Sequence, residues 1–208
     1  MKRSLTIIFA ILASCSPYVP VQIAVPGPVS HSDGLAWQAG AFGGSGFAGD
    51  DHMGGILLSV DRTYRFRFFR FLAGGYLYGG GYYADSFYTY LGGFEVTEAE
   101  ILLPFDRWEI DAGVGLGAGL EYGSYVSHLV LLDDSLRLVI VPRMSVIGGL
   151  AYNLGDLVLG IRGSYGFPTG ASVYIRHSNG WFGQLGFDYT NLDFNNVIGF
   201  LSIGRMIE

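Results

Sequence analysis

Seven charged residues could act together if the fold brings them close to one another. They are three arginines from one segment and four acids that follow: Arg65, Arg67, Arg70, Glu98, Glu100, Glu109 and Asp111. Two carboxylates can work as general acid and base, and a ring of charges can line the constriction of a pore. Opposite charges on neighbouring strands can also neutralise each other where water is scarce. We favour this structural network, and we expect Arg67→Ala to destabilise the fold.

His177, Ser178 and Asn179 combine a base with a nucleophile. The stretch is similar to the His-x-Ser-Asn motif of the outer-membrane lipid A deacylases, whose His, Ser and Glu form a triad on the barrel wall. There one residue separates His from Ser, whereas here the two are adjacent, so a regular strand points them to opposite faces. No Glu follows before Glu208, and Asn179-Gly180 also forms an ordinary hairpin turn. We predict no catalytic residue and keep an esterase as an alternative.

Candidate metal ligands are sparse. Asp50, Asp51 and His52 are adjacent, but three consecutive residues seldom converge on one ion, and no further ligand follows. Cys15 is the only cysteine, which excludes an intrachain disulfide and a Cys-based zinc site. We therefore predict neither a metal site nor a cofactor.

The composition limits the fold and the partners. Of 208 residues, 50% are hydrophobic, 14% are charged and 33 are glycine, more than twice the usual share of ~7%. So much glycine argues against a helical protein, and 15 Phe with 14 Tyr argue against disorder. The formal net charge is −6, and Lys2 is the only lysine. Nucleic acid is excluded as a partner, because binding phosphates needs a cationic surface.

The elements that hold these residues are predicted to be strands, because side-chain type alternates with a period of two from Leu35 onward. Between Glu109 and Glu121 one parity is wholly apolar, and the other carries only glycine and acids. Such a bare face fits the crowded interior of a narrow closed barrel. The alternation predicts ten strands, at about 35–43, 53–61, 64–79, 88–103, 108–122, 136–152, 156–166, 170–177, 181–190 and 196–206. Arg70 has the opposite parity to Arg65 and Arg67, which predicts a β-bulge near Phe68-Phe69.

Tight turns and longer loops alternate between these strands. Tight turns are predicted at Asp61-Arg62-Thr63, Pro104-Phe105-Asp106, Asn153-Leu154-Gly155 and Ser178-Asn179-Gly180, and longer loops at 44–52, 80–87 and 123–135. This alternation is typical of outer-membrane barrels, with short periplasmic turns and longer outer loops. If the N-terminus and the C-terminus of the barrel both lie on the periplasmic side, the number of strands must be even. Eight and twelve strands therefore stay open as alternatives to ten.

Residues 34–208 therefore resemble the bacterial outer-membrane β-barrel proteins, in architecture and pattern. The resemblance implies an all-β fold, a closed antiparallel transmembrane β-barrel. In a bilayer only helices and closed barrels pair every backbone group, and no apolar run of ~20 residues follows Cys15. The last strand in that family often carries a polar-x-Gly-x-x-apolar signal and ends in an aromatic residue. Ser202–Ile207 fits this loosely, but the chain ends in Glu208.

The first residues resemble a lipoprotein signal. Lys2 and Arg3 precede a short apolar stretch, and Leu12-Ala13-Ser14-Cys15 resembles the bacterial lipobox. The resemblance implies a cleaved signal peptide over residues 1–14 and lipid attached to Cys15. Residues 15–33 are rich in proline and form a predicted extended tether. The implied location is the bacterial outer membrane, both lipid-anchored and membrane-spanning.

Six tyrosines flank the predicted 80–87 loop: Tyr76, Tyr78, Tyr82, Tyr83, Tyr88 and Tyr90. Tyrosine favours membrane interfaces, where its ring is buried and its hydroxyl is wet. We predict an interface girdle, with sugar stacking as the alternative.

The predicted role is non-enzymatic, structural or interactive, at the cell envelope. Its partners would be outer-membrane lipid and envelope components that bind the loops 44–52, 80–87 and 123–135. A narrow pore or a carrier of a small apolar ligand is the alternative, and no oligomeric state is predicted.

Overall fold

The computed structural model describes residues 33–45, 52–83, 87–91, 94–124, 136–167, 169–190 and 196–207. Within these ranges the chain contains no helix long and apolar enough for a membrane span. The described residues form eleven strands: β1 Gly34–Ser45, β2 His52–Phe66, β3 Phe69–Tyr83, β4 Phe87–Leu91, β5 Phe94–Phe105, β6 Trp108–Ser124, β7 Leu136–Asn153, β8 Leu157–Phe167, β9 Thr169–His177, β10 Trp181–Thr190 and β11 Asn196–Ile207.

These strands close into one antiparallel barrel. Each position of the barrel pairs with the next one along the chain, and β11 pairs with β1 from Leu35–Ile207 to Ser45–Val197. β4 and β5 share one position between β3 and β6, so eleven strands make a barrel of ten. The predicted all-β, closed, ten-stranded antiparallel barrel is confirmed. The predicted single strand 88–103 is divided into β4 and β5.

The first predicted turn is displaced along the chain. Asp61-Arg62-Thr63 lies inside β2, whose pairing with β3 is continuous until Phe66 meets Phe69. Asp61 and Thr63 are buried in the barrel, so these polar residues continue the strand instead of ending it. The turn lies at Arg67 and Phe68, and the predicted β-bulge near Phe68-Phe69 is therefore wrong.

The remaining turns follow the sequence more closely. The hairpin predicted at Pro104-Phe105-Asp106 turns one residue later, at Asp106-Arg107, where Asp106 has a φ of 58°. Aspartate tolerates this left-handed conformation better than most residues. The turns at Asn153-Leu154-Gly155 and Ser178-Asn179-Gly180 are confirmed, and glycine supplies the positive φ in each. We call the end of the barrel that carries these four tight turns the turn end.

The barrel has an apolar outer wall. Described side chains of one parity point outward, as in Leu58, Val146, Ile161 and Leu201, which are 52%, 60%, 54% and 62% exposed. Side chains of the other parity are buried in the lumen. The alternation predicted after Glu109 holds along the described side chains of β6, where Glu109 and Asp111 are buried and Ile110 is exposed.

The lumen contains more side-chain volume than the sequence predicts. Large buried residues come from several strands: Phe42, Leu57, Leu72, Ile147, Tyr174, Phe182, Phe200 and Met206. Three of the rings lie opposite a glycine in the register, in the pairs Gly160–Tyr174, Gly186–Phe200 and Phe182–Gly204. A Cβ on Gly186 would lie 2.5 Å from Cζ of Phe200 and 2.6 Å from the backbone oxygen of Ala171. The expectation of a nearly bare interior is wrong, because these glycines make room for rings.

Outward-facing glycines are less constrained. A Cβ on Gly183, in the same strand as Gly186, would find its nearest neighbour 3.8 Å away, at Cγ2 of Ile175. This is an ordinary van der Waals distance. Gly183, which faces outward, and Gly186, which faces the lumen, are therefore suited to a comparison of the same substitution within one strand.

We expect Gly186→Ala to destabilise the barrel by about 1–3 kcal/mol, because overpacking against Phe200 and backbone must be relieved. Gly183→Ala should leave stability unchanged or raise it by about 0.4–1 kcal/mol, since alanine restricts the unfolded chain. Urea unfolding of the two variants in detergent micelles measures both changes. Equal stabilities for the two variants would contradict the packing described above.

Candidate functional site

An ion pair in the lumen joins two strands that are not neighbours. Arg162 of β8 and Asp111 of β6 approach to 3.4 Å between guanidinium Nη2 and Oδ1, and both side chains are almost fully buried. In the register Gly149 of β7 lies between them, opposite both residues. A Cβ on Gly149 would overlap the Asp111 carboxylate. The missing side chain therefore allows charges from β6 and β8 to meet across β7.

The structure places part of the predicted charge network in the lumen. Arg70, Glu109 and Asp111 are buried, and the register sets Glu100 directly opposite Arg70. Glu98 pairs with Leu72 instead. The side chains of Glu98 and Glu100 lie outside the described residues.

Arg65 and Arg67 are not in the lumen, and their prediction is wrong. Arg67 lies in the turn with a φ of 56°, and its guanidinium lies 5.9 Å from the ring centre of Phe66. Arg65 is exposed beside this turn, and its Nε donates a hydrogen bond to the backbone oxygen of Arg67 at 3.2 Å. The hairpin turns later in the chain than predicted, at Arg67 and Phe68, so both residues lie at the barrel end. The expected destabilisation by Arg67→Ala loses its basis.

Further polar side chains form hydrogen bonds with one another in the lumen. Gln184 Nε2 donates to Ser172 Oγ at 2.9 Å, and Ser202 Oγ donates to Gln38 Oε1 at 3.3 Å. Ser59 Oγ donates to the Asp61 carboxylate at 3.3 Å. All six side chains belong to buried residues, so these bonds offset part of the cost of burying polar atoms.

Sequence reasoning missed the central basic residue of this lumen. Arg162 alternates with the apolar residues Leu159 and Ile161, and its parity placed it on the non-apolar face. Its pairing with Asp111 depends on a strand between them that offers only Gly149 at that height. The alternation along β8 predicts that Arg162 faces the lumen. Its partner Asp111 could be found only from the strand register.

Arg162→Ala should cost about 3–5 kcal/mol of stability, because it leaves the Asp111 carboxylate buried without its ion-pair partner. Arg67→Ala, at an exposed turn, should change stability by less than about 0.5 kcal/mol. Urea unfolding, followed by the difference in gel mobility between folded and unfolded protein, measures both stability changes. The double variant Arg162→Ala with Asp111→Asn should recover part of the loss, and a stable single Arg162→Ala variant would argue against the ion pair.

The turn between β9 and β10 brings a histidine and a serine together. β9 ends at His177, so Ser178 belongs to the turn, and its Oγ lies 3.5 Å from Nδ1 of His177. The prediction that the two side chains point apart is wrong, because it assumed a strand that continues. Ser178 Oγ donates to Oδ1 of Asp156 at 3.2 Å, and the backbone N–H of Asn179 donates to His177 Nδ1 at 3.1 Å.

This geometry differs from a catalytic triad. In a triad the histidine lies between acid and nucleophile and accepts the proton of the hydroxyl. Here Ser178 lies between Asp156 and His177, and its hydroxyl donates to the carboxylate. Nδ1 of His177 already accepts a backbone N–H, so this nitrogen is poorly placed to serve as a base for Ser178. The arrangement resembles a hydrogen-bonded turn.

We expect the purified barrel to hydrolyse lipid A no faster than its His177→Ala and Ser178→Ala variants. The reason is that the Ser178 hydroxyl donates to Asp156 and that Nδ1 of His177 already accepts the backbone N–H of Asn179. Release of fatty acid from lipid A in mixed micelles, measured by mass spectrometry, checks this. Release by the unmodified chain that either variant abolishes would establish an esterase.

The other predicted site residues fall partly outside the described ranges. Asp50 and Asp51 lie outside them, as does Cys15, and His52 is the first residue of β2. Among the described residues no group of three His, Cys, Asp or Glu side chains could hold a metal ion. The six tyrosines of the predicted girdle lie in β3 and β4, and their side chains are outside the described part.

A second aromatic group, which the sequence analysis missed, lies near the turn end. Phe66, Phe68, Phe105, Trp108 and Trp181 are all exposed there. Arginines lie against rings of this region: Arg205 lies 5.6 Å from the ring centre of Trp181, and Arg62 lies 5.7 Å from that of Tyr64, two residues before Phe66. Such contacts are attractive, because the face of an aromatic ring is electron-rich.

No protein-family model and no curated protein matches the sequence. Among solved structures, the chain is similar to the β-domain of the Bordetella autotransporter BrkA, at 12% identity and a TM-score of 0.49, over 83% of this chain and 99% of that chain. It is similar to neisserial surface protein A, at 15% identity and a TM-score of 0.35, over 83% of this chain and 96% of that chain. It is also similar to the transport unit of the autotransporter AIDA-I from Escherichia coli, at 8% identity and a TM-score of 0.44, over 95% of this chain and 96% of that chain. At such low identities nothing about activity or ligands follows.

Proposed function

We propose that this chain is an outer-membrane β-barrel with a filled lumen, which spans the bilayer and has a structural or interaction role at the cell envelope. The observation that carries the proposal is the outer wall, where large apolar side chains are exposed on almost every strand. In water such a surface would be an aggregation hazard, whereas in lipid it is the expected surface. The strands also suffice for a span: β9 has 9 residues and β7 has 18, against the about 9–11 that a tilted strand needs.

The lumen side chains support a role other than conduction. Rings of Tyr174, Phe182 and Phe200 are buried opposite glycines, and the Arg162–Asp111 pair crosses the interior. A barrel of this strand number has an interior just wide enough for side chains. We therefore rank the structural or interaction role above the narrow pore or small-ligand carrier.

Anchoring and partners complete the proposal. The lipobox-like Leu12-Ala13-Ser14-Cys15 supports a lipid on Cys15 as a second membrane attachment. Ser45, Tyr83 and Ser124 end β1, β3 and β6 at the barrel end opposite to the turn end, and we propose that envelope components bind at this end.

We expect the reconstituted barrel to give no single-channel current above the protein-free bilayer, because its lumen is filled. The triple variant Tyr174→Ala, Phe182→Ala and Phe200→Ala removes three rings that face glycines, and should conduct. Planar-bilayer recording compares the two, and the variant serves as the positive control for insertion. Steady channels from the unmodified chain would favour the pore.

A separate measurement tests the membrane assignment itself. The mature chain should need detergent or lipid to stay dispersed, because its apolar outer wall must be covered. Light scattering after detergent removal measures this. A monomer that stays in solution without detergent would rule out a membrane-spanning barrel.

A further inference from the structure

The outer wall near the turn end carries two exposed arginines on either side of β1. Arg62 belongs to β2, where the register pairs it with Leu35 of β1. Arg205 belongs to β11 and pairs with Trp37 of β1. We propose that this surface binds one anionic glycerophospholipid, with the phosphate at the two arginines and an acyl chain along β1. The proposal rests on the membrane-spanning role proposed above.

Both guanidiniums lie against rings of the outer wall. The guanidinium of Arg62 is 5.7 Å from the ring centre of Tyr64, the next outward residue of β2 towards the turn end. That of Arg205 is 5.6 Å from the ring centre of Trp181, its register partner on β10. Trp181 in turn packs edge-on against Trp37, with the ring centres 5.7 Å apart. These contacts keep both charges on the outer surface and limit the entropy that the side chains lose on binding.

An anion is the expected neighbour of these two charges. Three acids of the wall, Asp61, Glu109 and Asp111, are buried in the lumen and so lie on the other face of the wall from the two arginines. An arginine that faces lipid is costly unless its guanidinium reaches the headgroup level. Lipid phosphates lie at that level, and guanidinium binds phosphate through paired charge-assisted hydrogen bonds. Two positive charges favour a lipid with a net negative charge over a zwitterionic one.

β1 forms a groove that leads away from the arginines. Its outward residues after Trp37 are small: Ala39, Ala41 and Gly43. They extend over about 14 Å along the strand. The outward positions paired with Ala39 and Ala41 carry exposed, long aliphatic side chains, which are Ile56 and Leu58 on β2 and Leu201 and Ile203 on β11. An acyl chain can therefore lie lengthwise on β1 between two aliphatic ridges.

Charge favours a lipid over a second copy of the barrel on this face. Two copies related by a two-fold axis present the same patch to each other. Arg62 and Arg205 of one copy would then face a surface of the same charge, which disfavours the contact. A phospholipid instead brings an anion to the arginines and a hydrocarbon chain to the groove.

The test is native mass spectrometry of the full chain in an uncharged detergent, with phosphatidylglycerol, phosphatidylcholine or diacylglycerol of the same acyl chains added. We expect one phosphatidylglycerol to bind saturably, about tenfold more tightly than either of the other lipids. Arg62→Gln with Arg205→Gln should abolish this preference, because both guanidiniums are lost. Arg107→Gln is the matched control, since Arg107 is exposed at the turn end but lies in the β5–β6 turn. It should bind like the unmodified chain.

A second pair of variants tests the groove. Ala41→Phe leaves both arginines in place and fills the groove with a ring, so it should weaken phosphatidylglycerol binding several-fold. Ala112→Phe makes the same change on the outer wall of β6, away from β1, and should leave the binding unchanged. Equal binding by these two variants would contradict an acyl chain on β1.

The proposal is overturned if phosphatidylglycerol binds no more tightly than phosphatidylcholine, if the double variant keeps the preference, or if Arg107→Gln loses it equally. A dimer that forms without lipid and is lost in Ala41→Phe would assign this face to a second copy instead. Should the double variant fail to fold, Arg62→Gln alone gives the answer, and it should weaken phosphatidylglycerol binding several-fold. A chain that needs detergent but binds the three lipids equally loses this site and keeps the membrane-spanning role.

Discussion

Closure of the hydrogen-bond ladder is the constraint on which the rest of this structure depends. Within the described ranges, each barrel position has a hydrogen-bonded neighbour on both sides, and the first strand is joined to the last. In lipid an open edge would leave backbone N–H and C=O groups without partners, at a cost of several kcal/mol each. Closure at this strand number gives a narrow interior, and that narrowness decides which side chains fit there.

The glycines divide into two groups under this constraint. Those that face the lumen, such as Gly149 and Gly186, leave space that a carboxylate or a ring from a neighbouring strand occupies. Outward glycines such as Gly183 have ordinary distances to their surroundings and make no such room. A high glycine content therefore does not mean an empty interior, since lumen glycines such as Gly149, Gly160, Gly186 and Gly204 lie against a carboxylate or a ring of a neighbouring strand.

Much of the fold could be predicted from the sequence, because period-two alternation and turn chemistry are local. The strand from Glu109 and the turn at Ser178-Asn179-Gly180 are where the sequence predicts them. The site was less predictable, since its contacts depend on register: the position of one turn, at Arg67 rather than Asp61, moved two arginines out of the lumen. Equally, the pairing of Arg162 with Asp111 joins strands that are not neighbours.

The seam between β1 and β11 has a consequence for how the barrel forms. Its register joins Leu35 to Ile207, two residues near opposite ends of the described chain, whereas the other pairings connect strands that are close in sequence. Contacts of such long sequence separation form slowly, because a large loop must close first. Until β11 arrives, β1 and β10 present open edges that could recruit strands from other molecules. Assembly therefore favours a route in which the hairpins form early and a chaperone or the membrane shields both edges until the ring is complete.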